Sequence, residues 1–454
     1  MEEQSNGGED STKIRSLNDC PEDVLLHILS FLPTIDAVRT SLLSRKWRNL
    51  WSSIPSLYFS YDLFPPSSSP SATCRSFADS VDRTLILRYP HSPILKLRLD
   101  FDFKDYLYTS HIDSWIRYAI NHNAVELDLD FFIDRKYHTV ETQHFSYDFP
   151  FAALRTGRVR VLKLCHCDLY LPNNMPTEPF PSLRSIFLDQ IPLTDEMVSD
   201  LIIGCPNLES LTLEHCYAMK DLKIRGSKIK ELYLRYFYCD EASLEIACPN
   251  LRLLNMKAFE VGKYSLKNSS ALVEAYVFFL HKMDCYVYWS KVVRLLGHVK
   301  LLSVQNWWFK LLAPKDAIPG SFVLKNLTYL ELQTGYSDSD LLGMAALFEL
   351  APNLDTMILD YLYKISNDES VPEECLNKPI NFCLPRLRQV KINDFRRTKS
   401  QMHFLDLLKV QGVALKKIVL VIPKVGDTSY PPIVLVRHPR GVKVVEQSST
   451  KLEE

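Results

Sequence analysis

LESLTLEHC, residues 208–216, contains the pattern on which the fold depends. Leucines occupy its first, fourth and sixth positions, and polar residues separate them. Such alternation over a short stretch is typical of a β-strand with one buried face. The same apolar-x-x-apolar-x-apolar pattern recurs along most of the chain, starting at Ile94, Ala124, Val159, Leu183, Leu208, Ile229, Leu251, Leu272, Val299, Leu327, Leu354, Leu387 and Leu415.

The spacing of this pattern is similar to that of leucine-rich repeats. The twelve steps from 94 to 415 average about 27 residues, within the period of roughly 20 to 29 residues of that family. A proline two residues before the pattern ends a preceding helix and starts an extended segment, at Pro181, Pro206, Pro249, Pro352 and Pro385. The fold class predicted is α/β, with a three-helix N-terminal domain followed by a leucine-rich-repeat solenoid (horseshoe) of about 13 units.

The stretch Pro21–Trp51, PEDVLLHILSFLPTIDAVRTSLLSRKWRNLW, predicts those three helices. The first should run from Pro21 to about Phe31 and stop before the next proline. Thr34 is expected to cap a second helix and Ser44 a third. Three short helices cannot bury so many large apolar side chains, so the surplus predicts a surface for a protein partner. Coverage by the repeats is the alternative.

The N-terminal stretch also resembles the plant form of the F-box motif, over residues 14–60. The resemblance rests on Pro21-x-x-Val24-Leu25-x-x-Ile28-Leu29-Ser30-Phe31-Leu32-Pro33, followed by the segments 36–41 and 43–51. One departure is Cys20, where the family has leucine, and its smaller side chain is expected to weaken partner contact slightly. The family binds a Skp-type adaptor and through it a cullin. The resemblance implies adaptor binding by Pro21, Leu25, Ile28, Leu29, Val38, Leu43 and Trp47.

The C-terminal part resembles, more weakly, the FBD module that often ends plant F-box/leucine-rich-repeat proteins. The basic run Arg396–Lys399 replaces part of the acidic helix of that module. The predicted division is a disordered N-terminus at 1–13, the F-box at 14–60, and a linker with the first solenoid cap at 61–92. Leucine-rich repeats follow at 93–379, FBD-like terminal repeats at 380–424, and a C-terminal tail at 425–454.

The composition of the chain indicates which kinds of partner it can attract and in which compartment it is expected. Lys and Arg number 53 against 54 Asp and Glu, so no overall field attracts nucleic acid or a membrane surface. The N-terminus lacks the features of a signal peptide, and no apolar run has the length of a membrane span. The 11 cysteines are scattered without a Cys-x-x-Cys pair, as expected for reduced thiols in the cytoplasm or nucleus.

Two clusters resemble metal sites but are better explained by the repeat. Cys167 and Cys216 stand three residues after the last strand leucine, where the repeat consensus takes Asn or Cys. We therefore predict that Cys165, His166 and Cys167 bind no metal. Carboxylates at 128, 130 and 134 are expected to be solvent-facing strand residues and not calcium ligands. With no catalytic motif found, neither a cofactor nor an enzymatic activity is expected.

The resemblance implies a substrate-recognition subunit of a Skp–cullin–F-box ubiquitin ligase, which presents a target for ubiquitination and proteasomal degradation. A receptor for a small-molecule ligand and a non-ligase binding scaffold stay open as alternatives. In the repeat pattern the fifth and seventh residues point outward. The predicted target surface is therefore the strand face between about 185 and 260, with Phe187, Tyr233, Arg235, Asn255 and Lys257, unless that face is merely solvated.

Overall fold

The structure, a computed structural model, describes residues 17–65, 69–101, 103, 106–131, 146–173, 175, 177–278, 295–306, 322–362, 380–411, 415–422, 433–438 and 441–446. The chain divides into two compact units, residues 1–192 and 193–454, and each is described by itself. The predicted disordered N-terminus at 1–13 lies outside the described residues, as does Asp134.

Two α-helices and three short 3-10 turns make up the described part of the N-terminal domain. The 3-10 turn Leu17–Asp19 precedes helices α1 (Glu22–Leu29) and α2 (Thr34–Arg39), and the 3-10 turns Thr40–Leu42 and Leu50–Ser53 follow them. The predicted third helix from Ser44 is wrong, because the intervening residues follow turns. The Ser44 hydroxyl is not a helix cap but donates to Asn18 Oδ1 at 3.1 Å.

The predicted capping role of Thr34 is also wrong. Pro33 occupies the N-cap position of α2, and the Thr34 hydroxyl accepts a hydrogen bond from the backbone N–H of Tyr58 at 2.8 Å. This bond joins the helical part of the domain to the strand that follows it. The Thr34 hydroxyl therefore bonds a distant backbone group and does not cap its own helix.

The sheet of the first unit begins inside the predicted F-box range. Strand β1 (Ser56–Ser60) pairs in parallel with β2 (Lys96–Asp100). Between them, the range predicted as linker and cap contains helix α3 (Pro70–Ile86), capped by the Ser69 hydroxyl, which accepts from the Ala72 N–H at 3.2 Å. The N-terminal domain thus supplies the first strand of the repeat sheet.

The rest of the first unit continues this sheet in parallel. Strands β3 (Glu126–Asp130), β5 (Val161–Cys165) and β7 (Ser185–Asp189) follow β2 in that order, and helix α4 (Thr109–Asn121) connects β2 to β3. Two short strands, β4 (Tyr147–Pro150) and β6 (Cys167–Tyr170), pair separately.

The second unit repeats the same arrangement, with one parallel strand in each repeat. Its strands are β8 (Ser210–Glu214), β10 (Glu231–Ala247), β11 (Leu253–Lys267), β12 (Glu274–Phe278), β13 (Leu301–Gln305), β14 (Tyr329–Thr334), β15 (Thr356–Tyr361), β16 (Gln389–Ile392) and β17 (Lys417–Leu420). Its helices are α5 (Asp195–Gly204), α6 (Asp338–Leu350) and α7 (Lys399–Gln411). All thirteen predicted repeats have their strand, which confirms the repeat fold.

Three successive repeats of the second unit have a strand where longer repeats have a helix. The pattern starts 208, 229, 251 and 272 are only 21, 22 and 21 residues apart. Strand β9 (Asp221–Ile224) pairs with the later part of β10, which pairs in turn with the end of β11. An extended segment crosses the same distance with fewer residues than a helix, because it rises about 3.3 Å per residue against about 1.5 Å.

The predicted C-terminal tail at 425–454 contains two further strands. Strand β18 (Ile433–His438) pairs antiparallel with β17, and β19 (Gly441–Glu446) pairs antiparallel with β18. The range predicted as a tail therefore extends the sheet by a hairpin. A hairpin at this position occupies the backbone groups that the last parallel strand would otherwise leave open.

Candidate protein-interaction surfaces

Three of the side chains predicted to contact an adaptor lie in the core of the N-terminal domain. Leu25 and Leu29 are completely buried, and Trp47 is nearly so. Both leucines lie on α1, on the face that packs against the chain itself. In this conformation these three side chains offer a partner almost no accessible surface, and they pack inside the domain.

Side chains of residues 44–47 donate hydrogen bonds to the segment that precedes α1. The Trp47 indole N–H donates to Asn18 Oδ1 at 2.8 Å, and Lys46 Nζ donates to the carbonyls of Asn18 and Cys20 at 2.6 Å each. Cys20 itself is buried. The departure from leucine at this position therefore changes the packing of the domain and not its outer surface.

In the described part of this domain the exposed large apolar side chains are Leu17, Val24, Phe31, Leu42 and Leu43, and the last four are called here the apolar rim. Phe31 is 73 % exposed, Leu42 87 % and Leu43 68 %. Of the predicted adaptor residues, Pro21 and Leu43 are exposed, whereas Ile28 and Val38 are half-buried.

Sequence reasoning did not place Phe31 and Leu42 in the adaptor set. The signal was present, since Phe31 lies two residues beyond the end of α1 and Leu42 is adjacent to Leu43.

The predicted target residues of the second unit lie side by side on the strand face. In the register of β10 and β11, Tyr233 is opposite Asn255, and Arg235 is opposite Lys257. The Arg235 guanidinium lies 5.1 Å from the centre of the Tyr233 ring and 3.5 Å from the Glu214 carboxylate. Lys257 is exposed and the other three are half-buried. The fifth predicted residue, Phe187, lies half-buried on β7 of the first unit.

Comparison with protein-family models finds two matches. The F-box domain matches residues 17–58, and the model described as "At1g61320/AtMIF1, LRR domain" matches residues 90–426. The chain is a plant F-box/leucine-rich-repeat protein.

This F-box/leucine-rich-repeat protein has relatives in Arabidopsis thaliana that align with it over nearly their whole length. An F-box/FBD/LRR-repeat protein, At2g04230, is 26% identical over 444 residues, with 88% of this chain and 95% of the relative covered. The F-box/LRR-repeat protein At2g42720 is 28% identical over 440 residues, covering 88% and 93%. The putative F-box protein At3g58860 is 25% identical over 462 residues, covering 98% and 95%.

On the strand face of its first unit, this F-box/leucine-rich-repeat protein neutralises its own charges. Lys96 and Lys163 approach Glu126 at 3.0 and 2.9 Å, and both also contact Asp128. Burial acts to raise the pKa of Glu126, but the two lysines outweigh burial and hold that pKa below its usual range. Asp128 is thus an ion-paired strand residue, and Asp130 lies 2.8 Å from His166 Nδ1. This network leaves little uncompensated charge for a partner.

The residues considered as metal ligands lie where β5 ends and β6 begins. Cys167 is buried, Cys165 is only partly so, and His166 between them has a left-handed φ of 54°. Burial raises the pKa of the Cys165 thiol, and the nearby Asp130 and Asp189 raise it further, which disfavours a thiolate ligand. Within the described ranges no three His, Cys, Asp or Glu side chains converge as metal ligands. The absence of bound metal stays a prediction.

Among the helices of the described ranges, none has both the length and the apolar composition needed to cross a membrane.

Proposed function

We propose that this chain is a substrate-recognition subunit of a Skp–cullin–F-box ubiquitin ligase. The observation that carries the proposal is the apolar rim of the F-box, where Phe31, Leu42 and Leu43 are mostly exposed although Leu25, Leu29 and Trp47 are buried in the core. Large apolar side chains exposed within one short domain are typical of a protein interface.

In this proposal the apolar rim contacts a Skp-type adaptor, with the exposed Pro21 and the half-buried Ile28 and Val38 beside it. Leu25, Leu29 and Trp47 contribute by keeping the rim in place. The cullin joins through the adaptor.

The repeats supply the second half of the proposed function. Phe187, Tyr233, Arg235, Asn255 and Lys257 are proposed to contact a target protein, which is then ubiquitinated and degraded by the proteasome. The chain performs no chemistry itself. It holds the target so that its lysines lie close to a conjugating enzyme, which raises their effective concentration.

Support for this target surface comes from polar atoms that the fold leaves without partners. Arg235 Nε and Asn255 Oδ1 are buried and make no hydrogen bond within the described residues. Unpaired buried polar atoms are costly, so a bound segment that supplies an acceptor to Arg235 and a donor to Asn255 would gain from both.

Adaptor binding is tested by co-expressing the full chain with a Skp-type adaptor and recovering the complex. The variant Leu42→Asp places a charge in the rim and should abolish recovery of the adaptor. The matched control is Leu107→Asp, at a leucine that is also exposed but lies outside the F-box. Equal recovery of the adaptor with both variants contradicts the proposal.

Target binding is tested in cells treated with a proteasome inhibitor. Tyr233→Ala combined with Arg235→Ala should retain the adaptor but lose the captured target. If that variant still captures the target, the target surface lies elsewhere on the repeats.

A further inference from the structure

A second polar surface of the second unit lies on strands β12 to β15. Tyr276, Ser303 and Glu331 are direct neighbours across three successive strands. Tyr329 precedes Glu331 by two residues on the same face, and Asp360 lies on the next strand, opposite Gln333. These five residues, Tyr276, Ser303, Tyr329, Glu331 and Asp360, are called here the acidic–aromatic patch.

The two carboxylates of the patch are not neutralised as those of the first unit are. Within the described residues, neither Glu331 nor Asp360 has a Lys or Arg at ion-pair distance. Asp360 accepts a hydrogen bond from Asn393 Nδ2 at 2.6 Å and also lies at hydrogen-bond distance from the Glu331 carboxyl. The neighbouring cation is Lys391, whose side chain is exposed and acts on Glu331 only through its field. Glu126 in the first unit, by contrast, has two lysines within 3.0 Å.

Burial and the adjacent acid make the Glu331 carboxylate unfavourable. Burial raises the pKa of Glu331, and Asp360 beside it raises that pKa further. Two acids in one half-buried site resist simultaneous ionisation. A cation placed between them would remove that repulsion, and the free energy gained would appear as binding affinity.

Ser303 provides an independent sign of an incomplete site. Its side chain is completely buried, at 0 % exposure, although it occupies an outward position of the sheet. Its Oγ lies close enough to the Glu331 carboxyl to lower the pKa of that group, but it makes no hydrogen bond of ordinary geometry within the described residues. Buried hydroxyl groups normally have a partner, so this one is available to accept from a donor that enters the patch.

Tyr276 and Tyr329 place two aromatic rings beside the carboxylates of the patch. Both are half-buried, and burial, together with the nearby carboxylates, raises the pKa of Tyr276 to about 12. They stay neutral at physiological pH and keep their ring faces electron-rich. Such rings attract a cation electrostatically, and more strongly when water is excluded.

We propose that the acidic–aromatic patch binds an arginine side chain from a segment of the target protein. This inference rests on the target-binding role proposed above and specifies what the target must supply. Arginine fits better than lysine because its planar fork can donate to both carboxylates while its flat face stacks on a tyrosine.

Two basic residues lie on the same sheet as the acidic–aromatic patch, a few strands away. Arg235 and Lys257 lie on β10 and β11, and Glu331 lies on β14. Four strand spacings separate β10 from β14, which is about 19 Å. An extended segment covers that distance with about six residues. The preferred segment therefore has an acidic residue and an arginine about six residues apart.

The test uses purified full-length protein and an array of 12-residue random-sequence peptides with one fixed central residue. That residue is arginine, lysine or citrulline, the neutral isostere of arginine. Arginine peptides should bind most strongly and citrulline peptides at least about tenfold more weakly, as for loss of hydrogen bonds to a charged group. The peptide comparison uses the wild-type chain alone and so does not depend on whether a variant folds.

Protein variants then locate the site. Glu331→Gln and Asp360→Asn should each remove the preference for arginine. The matched control is Glu245→Gln in the same unit, since the chain already neutralises Glu245 with Arg225 at 2.7 Å and Lys267 at 2.8 Å. That control should bind arginine peptides like the wild type.

Three results overturn the inference: no preference for arginine over citrulline, an unchanged preference in Glu331→Gln, or binding of millimolar Ca²⁺ that depends on both acids. Adaptor recovery is measured separately. Loss of adaptor binding with a retained arginine preference rejects the ligase role alone, and the reverse result rejects the patch alone.

Discussion

Truncating the apolar rim should weaken adaptor binding without unfolding the chain. Leu42 and Leu43 expose 87 % and 68 % of their surface, about one and a half leucine side chains together. Burying a leucine side chain against a partner contributes about 2 kcal/mol. The double variant Leu42→Ala, Leu43→Ala should therefore lose about 3 kcal/mol of binding free energy, or about a hundredfold in Kd.

The same structure predicts a different result for a core leucine. Leu25 is completely buried, so Leu25→Ala should lower the free energy of unfolding by about 2 to 5 kcal/mol. The double rim variant should change it by no more than about 0.5 kcal/mol, because its side chains contact mostly solvent.

The assay is a calorimetric titration of the purified full chain with a Skp-type adaptor, alongside denaturant unfolding of each variant. The reasoning is refuted if the folded double variant binds the adaptor with a Kd within about threefold of wild type. It is also refuted if the double variant is as destabilised as Leu25→Ala.

Three further predictions concern the repeats. Asp340→Ala should lower the free energy of unfolding by about 2 to 4 kcal/mol in denaturant titrations, because this buried carboxylate accepts several hydrogen bonds, including one from the Gly335 N–H at 2.8 Å. Because burial and a neighbouring acid raise the folded-state pKa of Glu331, its ionisation destabilises the fold above that pKa, and protonation relieves the cost below it. Glu331→Gln should thus be more stable than wild type at neutral pH in thermal unfolding, with the difference shrinking as the pH falls. Metal analysis of the purified protein should find no zinc that is lost on changing Cys165 and Cys167 to Ser; one equivalent of such zinc would contradict this.

The repeat strands were predictable from the sequence because their signal is local. Each strand has its own alternation of buried and exposed side chains, and any five-residue window around Leu211 or Leu330 contains it. Every repeat presents the same core positions to its neighbours, so stacking adds no new requirement that could overrule the local pattern. The outward direction of Tyr233 and Arg235 follows from that alternation and is confirmed by their partial exposure.

The F-box was predictable as a motif but not as a surface. The motif shows which residues are apolar, yet burial depends on what each side chain meets in three dimensions. The Trp47 indole N–H donates to Asn18 in the segment before α1, and the Thr34 hydroxyl accepts from the Tyr58 N–H on β1. Both partners are more than twenty residues away, so helix-capping rules could not include them.

The acidic–aromatic patch depends entirely on tertiary structure. Glu331 and Asp360 are 29 residues apart in the chain, and neither belongs to a motif. The parallel register of β14 and β15 makes them diagonal neighbours, and packing between strands buries Ser303 beside them. The sequence determines that polar side chains point outward at these positions. Only the stacking of repeats decides which of them meet, because the pKa of a carboxyl and the satisfaction of a hydroxyl depend on neighbours brought together from different turns of the solenoid.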